Sequence, residues 1–313
     1  MIELSPKSLI LINKLQPGDV LAMTAAVYSL HRAHPGRYLT AVDTNCNAIY
    51  ENNPDTISLD SAREMQAEPW QTHYPGINQC NERGIHFMQA YCEYFEQELG
   101  IRIPLATNRP HVYLTDQEKV WINQVAEITG RHVKYWIVCS GVKSDYTCKL
   151  WNGYQEVIDR LQGRIVFVQV GKSAPSHLHP PLRGVINLVG KTDDRQLMRL
   201  VYHASGVLCG TTFLMHLAAA FEKPSVILAG GREPRQWNQY PFSTVLSTVG
   251  YLPCCAKKSC WKSRTVPLGD GDPKDHDLCE SPVFTDPPSP RCMAIIQPQE
   301  VVEKILQIQM ICS

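Results

Sequence analysis

Cys255, Cys260, Cys279 and Cys292 follow one another at intervals of four, eighteen and twelve residues. Four thiolates brought together in a tetrahedron suit zinc or a single iron, and Cys254, next to the first of them, can take its place as a ligand. The stretch from Pro253 to Pro290 is rich in Pro, Gly, Asp and Cys and lacks apolar periodicity. A piece of this size has too little apolar surface to hold itself together without a metal or disulfides. All-sulfur coordination leaves no open position for a substrate, so such a metal is structural. Unmetallated thiols or a disulfide are the alternative. The neighbouring run GDGDPKDHD lacks the ligand order and the closing Glu of an EF-hand and reads as an exposed turn. Lys257, Lys258, Lys262 and Arg264 beside the thiols offset thiolate charge, or meet an anionic acceptor.

Four loops elsewhere carry groups suited to binding or proton transfer. In QPGD, Gly18 lets backbone approach a ligand and Asp19 offers a carboxylate at a helix start, where it also serves as a plain cap. The loop CSGVKSDYTCKLW holds Lys143, Asp145, Tyr146 and Lys149. Two lysines beside a helix N-terminus can hold a diphosphate, or they are simply solvated. CGTTFLMHLAAAF places Thr211 and Thr212 at a helix start with His216 one turn in, a pattern that suits sugar or phosphate oxygens but also fits a threonine cap and a core histidine. GGREPRQW supplies Gly230 and Gly231 for close backbone approach, then Arg232, Glu233 and Trp237.

These loops must hang on a regular frame. SLILIN reads as a strand buried on both faces, followed by a helix over VLAMTAAVYSLHRAH that stops at Pro35-Gly36. RYLTAVD is a second strand, and the piece between Asn45 and His73 has no pattern beyond short helices and turns. Helices are expected over GIHFMQAYCEYFEQELG, closed by Gly100, and over TDQEKVWINQVAEITG, from a cap at Thr115 or Asp116 to Gly130. The second half repeats the scheme. Strands VKYWIVCSG, RIVFVQVG, GVINLVG, GVLCG and SVILAGG alternate with helices over LWNGYQEVIDRLQ, TDDRQLMRLVYHAS and TTFLMHLAAAFEK, and QPQEVVEKILQIQM closes the chain as a helix. Alternation of this kind implies right-handed crossovers and parallel sheets, with ligands at the carboxyl ends of the strands.

The chain has 313 residues, 44% hydrophobic and 19% charged, with a formal net charge of zero and a pI near 7.1. That length favours two domains. The balanced charge gives no broad basic footprint for nucleic acid or anionic membrane. The apolar run near the start is about six residues, too short for a signal-peptide core or a membrane span. A cytoplasmic protein without a transmembrane segment is the resulting expectation, and a reducing compartment turns clustered cysteines toward metal rather than disulfides.

Taken in order, GDVLAMTAAVYSLHRAHPG, KLW and MHLAAAFEKPSVILAGGREPRQW resemble glycosyltransferase family 9, the ADP-heptose transferases of lipopolysaccharide assembly. The resemblance spans most of the chain and is weakest from about Asn45 to Gln79. It implies an α/β protein of the glycosyltransferase B fold, two Rossmann-like domains facing a cleft. The acceptor-side domain would be residues 1–108, the nucleotide-sugar domain 109–252, the cysteine-rich metal-binding insertion 253–293 and the closing helix 294–313. It further implies an inverting transfer of a sugar, heptose first, from a nucleotide diphosphate sugar, ADP-heptose first, to an unidentified acceptor hydroxyl on a glycan, a protein or a small molecule, with no catalytic metal. Asp19 matches the proposed general base, Lys149 a lysine on the donor phosphate, and Thr211, Thr212 and His216 the donor loop; Gly18, Gly231 and Arg232 complete the donor-binding set. Autotransporter heptosyltransferases in this broad group carry a comparable four-cysteine iron finger. One departure stands out: where the family reads Asp-Thr-Gly-Pro-Met-His, this chain reads Thr211-Thr212-Phe213-Leu214-Met215-His216, without the carboxylate that contacts the sugar. A catalytically silent module that binds a nucleotide sugar or a protein partner is the competing reading.

Overall fold

The run KSLILIN forms strand β1 (Lys7–Asn13), in which Leu9, Leu11 and Asn13 are buried. A computed structural model describes residues 5–312 of the chain. Met1–Leu4 and Ser313, the outermost residues of the expected terminal segments, lie outside the described residues. The chain divides into two compact units. The first runs to Trp121 and takes in Ala219–Phe221; the second holds Ile122–Ala218 and Glu222–Ser313, and so includes the cysteine-rich segment and the closing helix.

In the first unit β1 pairs in parallel with β2 (Tyr38–Thr44) on one side and β3 (Glu68–Gln71) on the other. Helix α1 (Pro17–Ala33) opens on Pro17, whose fixed φ suits a first helical turn and whose missing N–H would have gone unpaired there anyway. It buries an unbroken set from Val20 to Val27 and packs against α2 (Phe87–Leu99), which ends at Gly100. The unpatterned stretch after β2 folds as a 3-10 turn at Asn47–Ile49, a short helix Leu59–Glu64 capped by Ser58, and β3. Small side chains let this piece close onto the sheet, with Ala62 and Ala67 packed on Ala41 beside Ile10, Ile57 and Leu59.

The single helix expected over 115–130 is two short ones. Asp116–Val120 is closed into a capping box by Thr115 and Glu118, the chain is extended at Trp121, and Gln124–Thr129 restarts with the Asn123 side chain accepting from Ala126 N at 3.1 Å. An asparagine cap inside an apolar periodic run is enough to divide it.

The second unit is built on six parallel strands: β4 (Tyr135–Cys139), β5 (Val166–Gln169), β6 (Ile186–Asn187), β7 (Gly206–Gly210), β8 (Ser225–Gly230) and β9 (Ser243–Ser247). Their order in the sheet is β9-β8-β7-β4-β5-β6. The chain starts in the middle, moves out through β5 and β6, returns to β7 and then runs the other way. That is the doubly wound order, with its reversal between β4 and β7, and such sheets bind ligands at that switch point. The crossovers use α3 (Tyr154–Leu161), α4 (Asp194–His203) and α5 (Phe213–Ala220). Asp193 caps α4 and accepts from Gln196 N at 2.7 Å. The closing helix α6 (Pro298–Cys312) packs along α3, sending Val301, Val302 and Ile305 into a core with Trp136, Trp151, Val157, Ile158 and Phe167. Trp151 Nε1 donates to Ile296 O at 3.0 Å across this junction. No helix among the described residues is long and apolar enough to cross a membrane.

Candidate functional site

The loops that leave β4 and β7 flank the switch point, and the structure ties them together. Lys149 ends the short 3-10 turn Thr147–Lys149, and its ammonium donates to Thr211 O at 2.8 Å, just beyond β7. The same ammonium lies 2.8 Å from Glu233 Oε1. Glu233 is buried, pairs with Arg232, and accepts from Asn238 Nδ2 at 2.5 Å. Burial alone would disfavour its ionised form, but Lys149 and Arg232 outweigh that and hold the carboxyl down at about 2. The site thus keeps two cations and one buried anion at neutral pH.

Tyr146 gathers the remaining charge. Arg232 Cζ lies 5.4 Å from its ring centre, Lys143 Nζ 5.3 Å, Lys274 Nζ 5.7 Å and Lys149 Nζ 6.0 Å. A tyrosine face attracts cations at such range. Lys143 and Lys274 are also shared with Asp145 at 3.8 and 3.3 Å. Thr211 is buried and Thr212, half-buried, precedes α5, its carbonyl accepting from Met215 N at 3.1 Å. His216 sits one turn into α5, buried, with Nδ1 2.6 Å from Tyr240 Oη.

In the first unit Gly18 and Asp19 occupy the second and third positions of α1. Asp19 is half-buried, and its Oδ2 accepts from Gln16 N at 3.1 Å, closing a capping box. Its Oδ1 accepts from the Tyr74 hydroxyl at 2.7 Å. The positive end of α1 favours the carboxylate.

Cys255, Cys260, Cys279 and Cys292 line one cavity of about 10 Å³, together with Cys254 and Cys148. Gly231 borders it so closely that a Cβ there would come within 2.9 Å of Cys255 Sγ. The close approach that this glycine permits is therefore to the sulfur cavity. Cys148 and Cys279 influence each other most strongly, which lowers the pKa of Cys279 and raises that of Cys148. Six thiols around an atom-sized space fit a soft ion in their chemistry, but among the described residues no group of three or more His, Cys, Asp or Glu stands in metal-holding geometry. The acidic run beside the cavity folds onto Arg264, a buried side chain whose guanidinium meets Asp270 at 2.8 Å and Asp275 at 2.5 Å.

The family model for glycosyltransferase family 9 (heptosyltransferase) matches residues 78–263, more than half of the chain. The chain belongs to glycosyltransferase family 9. It is a glycosyltransferase of the heptosyltransferase-like group. Among solved structures it is similar to a family 9 glycosyltransferase from Veillonella parvula DSM 2008, at 15% identity and a TM-score of 0.68 with 99% of each chain covered. It is also similar to the iron-containing dodecameric glycosyltransferase TibC from enterotoxigenic E. coli H10407, at 16% identity and 0.66, covering 99% of this chain and 78% of that one. E. coli ADP-heptose lipopolysaccharide heptosyltransferase II follows at 14% and 0.63, covering 97% and 98%. At these identities the likeness is one of fold, an α/β architecture with parallel sheets like that of the glycosyltransferase B heptosyltransferases. No curated protein matches the sequence.

For a family 9 chain, the structure brings Lys149, Thr211 and Arg232 together in the second unit, and places His216 against Tyr240 and Gly231 against Cys255. Glu233 was visible in its loop but not as the partner of Lys149, and Cys148 and Tyr74 carried no expectation. Glu233 stands beside Arg232 in GGREPRQW, and Cys148 immediately precedes Lys149. Adjacency was the available signal for both. Nothing local marks Tyr74.

Proposed function

We propose that this protein is an inverting transferase that moves a sugar, heptose first, from ADP-heptose to an acceptor hydroxyl. The observation that carries the reading is the link from Lys149 to Thr211 O across the switch point, with Glu233 buried behind it. In the doubly wound order a diphosphate belongs at that point, over the free amides that start α5. Lys149, Arg232, Thr211, Thr212 and His216 hold the donor, and Gly18 lets the backbone approach it closely. Asp19 takes the acceptor proton as the hydroxyl attacks the anomeric carbon. The bond to the leaving diphosphate breaks in the same step, its developing charge balanced by Lys149 and the amides. TibC has been crystallised with ADP-D-beta-D-heptose, which supports the choice of donor. The loop Thr211–His216 lacks the carboxylate expected on the sugar, so sugar selection rests on other groups. No metal takes part in the chemistry.

The cysteine segment is read as a structural metal module held by Cys255, Cys260, Cys279 and Cys292, with zinc or iron as the ion. TibC is an iron-containing glycosyltransferase, and the sulfur cavity supports the same reading here. The module braces the donor loop: Cys148 N donates to Ser263 O at 3.0 Å, Thr265 N to Thr147 Oγ1 at 2.9 Å, and Arg232 Nε to Lys262 O at 2.7 Å.

Incubating the purified chain with a panel of nucleotide sugars and following slow hydrolytic release of the nucleotide tests the function. ADP-heptose should release ADP faster than the rest of the panel. Tight binding without release from any sugar would overturn the proposal.

A further inference from the structure

Tyr74 lies where the sequence is least readable, yet its hydroxyl reaches Asp19 Oδ1 at 2.7 Å. The other carboxylate oxygen already accepts from Gln16 N, so the helix cap is complete without it. With a donor on each oxygen, rotation of the carboxylate breaks at least one of the two bonds. The phenol is itself held. Its ring packs at 4.7 Å on Phe87 and at 5.0 Å on Tyr91, centroid to centroid. The turn Pro75–Gln79 that follows is pressed against α2, where a Cβ on Gly76 would come within 3.0 Å of both Ala90 Cβ and Ile85 Cδ1. Glycine is what permits that approach, and the approach fixes where Tyr74 stands.

We propose that Tyr74 is a positioning residue for the transfer, its hydroxyl fixing the orientation from which Asp19 takes the acceptor proton. The inference rests on the reading of Asp19 as general base. The phenol has two opposed effects. Donation to a carboxylate favours the charged form and so makes it a weaker base; a fixed direction shortens the search for productive geometry. Besides Tyr74 and the Gln16 amide, Tyr91 from α2 lies close enough to Asp19 to feel its charge, and Tyr91 is in turn met by Asn13 from β1 and Tyr50 from the segment after β2. Tyr91 accepts from Asn13 Nδ2 at 3.1 Å, and Tyr50 donates to Val20 O at 3.4 Å. Burial raises the pKa of both phenols, so neither titrates near neutrality.

The test compares Tyr74→Phe with Asp19→Asn in the full chain, using ADP-heptose as probe and ADP release as readout across the pH range. Phenylalanine keeps the ring packing and removes only the hydroxyl. Tyr74→Phe should move the acid limb of the kcat profile up by about one pH unit and lower the plateau about 10-fold, with KM for ADP-heptose unchanged. Asp19→Asn should lower kcat by about 10² to 10⁴. An acid limb and plateau like those of the unsubstituted protein in Tyr74→Phe, with Asp19→Asn impaired, would overturn the role of Tyr74 and leave Asp19 standing. Near-normal turnover in Asp19→Asn would overturn both. Carbon-13 NMR titration of the Asp19 carboxyl gives a readout without turnover: its midpoint should rise in Tyr74→Phe, and an unmoved midpoint counts against the proposal.

Discussion

Lys149 meets a buried carboxylate at 2.8 Å, whereas Asp19, half-exposed at the head of α1, meets a phenol at 2.7 Å and a backbone amide at 3.1 Å. The second unit fixes charge. Glu233 is enclosed between Lys149 and Arg232, Arg232 is held by the Tyr146 and Trp261 faces, and the surrounding loops are bonded to the cysteine segment. The first unit holds its carboxylate with neutral donors, a phenol and a backbone amide, that fix its direction. A group that balances a diphosphate should stay charged at every working pH, and a buried counter-ion secures that. A group that exchanges a proton is better served by hydrogen bonds that orient it.

The widest separation of the two regions should come from Asp19→Ala, which is expected to lower turnover by about 10² to 10⁴ while circular dichroism and ADP affinity stay those of the unsubstituted chain. Breaking the opposite region should act on stability first. Glu233→Gln leaves Lys149 and Arg232 without their buried partner and should destabilise the protein by about 3 to 5 kcal/mol, measured by urea denaturation. Next in size, Lys149→Ala should weaken ADP binding about 10-fold or more, measured by calorimetry, with the pH profile of any residual turnover unmoved. The same buried carboxylate sharpens the contrast through pH. The carboxyl of Glu233 is held at about 2 in the folded chain, against an ordinary value of 4.5. The unfolded chain therefore binds more protons in that range, and the contribution of Glu233 to stability is present above about pH 4.5 and is lost as pH falls through about 2. Acid denaturation of Glu233→Gln should lack that component, while Tyr74→Phe should keep it.

The second unit was the more legible in sequence because its strands are continuous apolar runs: β4, β5, β7 and β8 stand where YWIVC, VFVQ, GVLCG and SVILAG announce them. β9, STVLS, was not anticipated, since two apolar residues between hydroxyl side chains give neither an apolar run nor an alternation to read as a strand. In the first unit β3 hid in the same way, its sequence EPWQ being mostly exposed and carrying Pro69. The division of the expected 115–130 helix at Trp121 depends on Asn123 capping a second start, a competition between side chain and backbone that periodicity does not register. For the site, types and spacing picked out Lys149, Arg232 and Asp19, because charges in loops after strands are visible one at a time. Their pairings were not visible. Glu233 and Tyr74 matter through contacts set by tertiary packing, the second across 55 residues of chain. The acidic run GDGDPKDHD, which local sequence reads as an exposed turn, is organised by Arg264 several residues earlier.

The central claim is that a nucleoside diphosphate is held by the second unit while the proton is handled by the first. Calorimetric titration of ADP into the full chain, with Lys149→Ala and Asp19→Asn alongside, tests it most directly. The account predicts that Lys149→Ala loses about 10-fold or more in affinity while Asp19→Asn binds ADP as the unsubstituted protein does. Equal binding by all three, or a loss confined to Asp19→Asn, would contradict it.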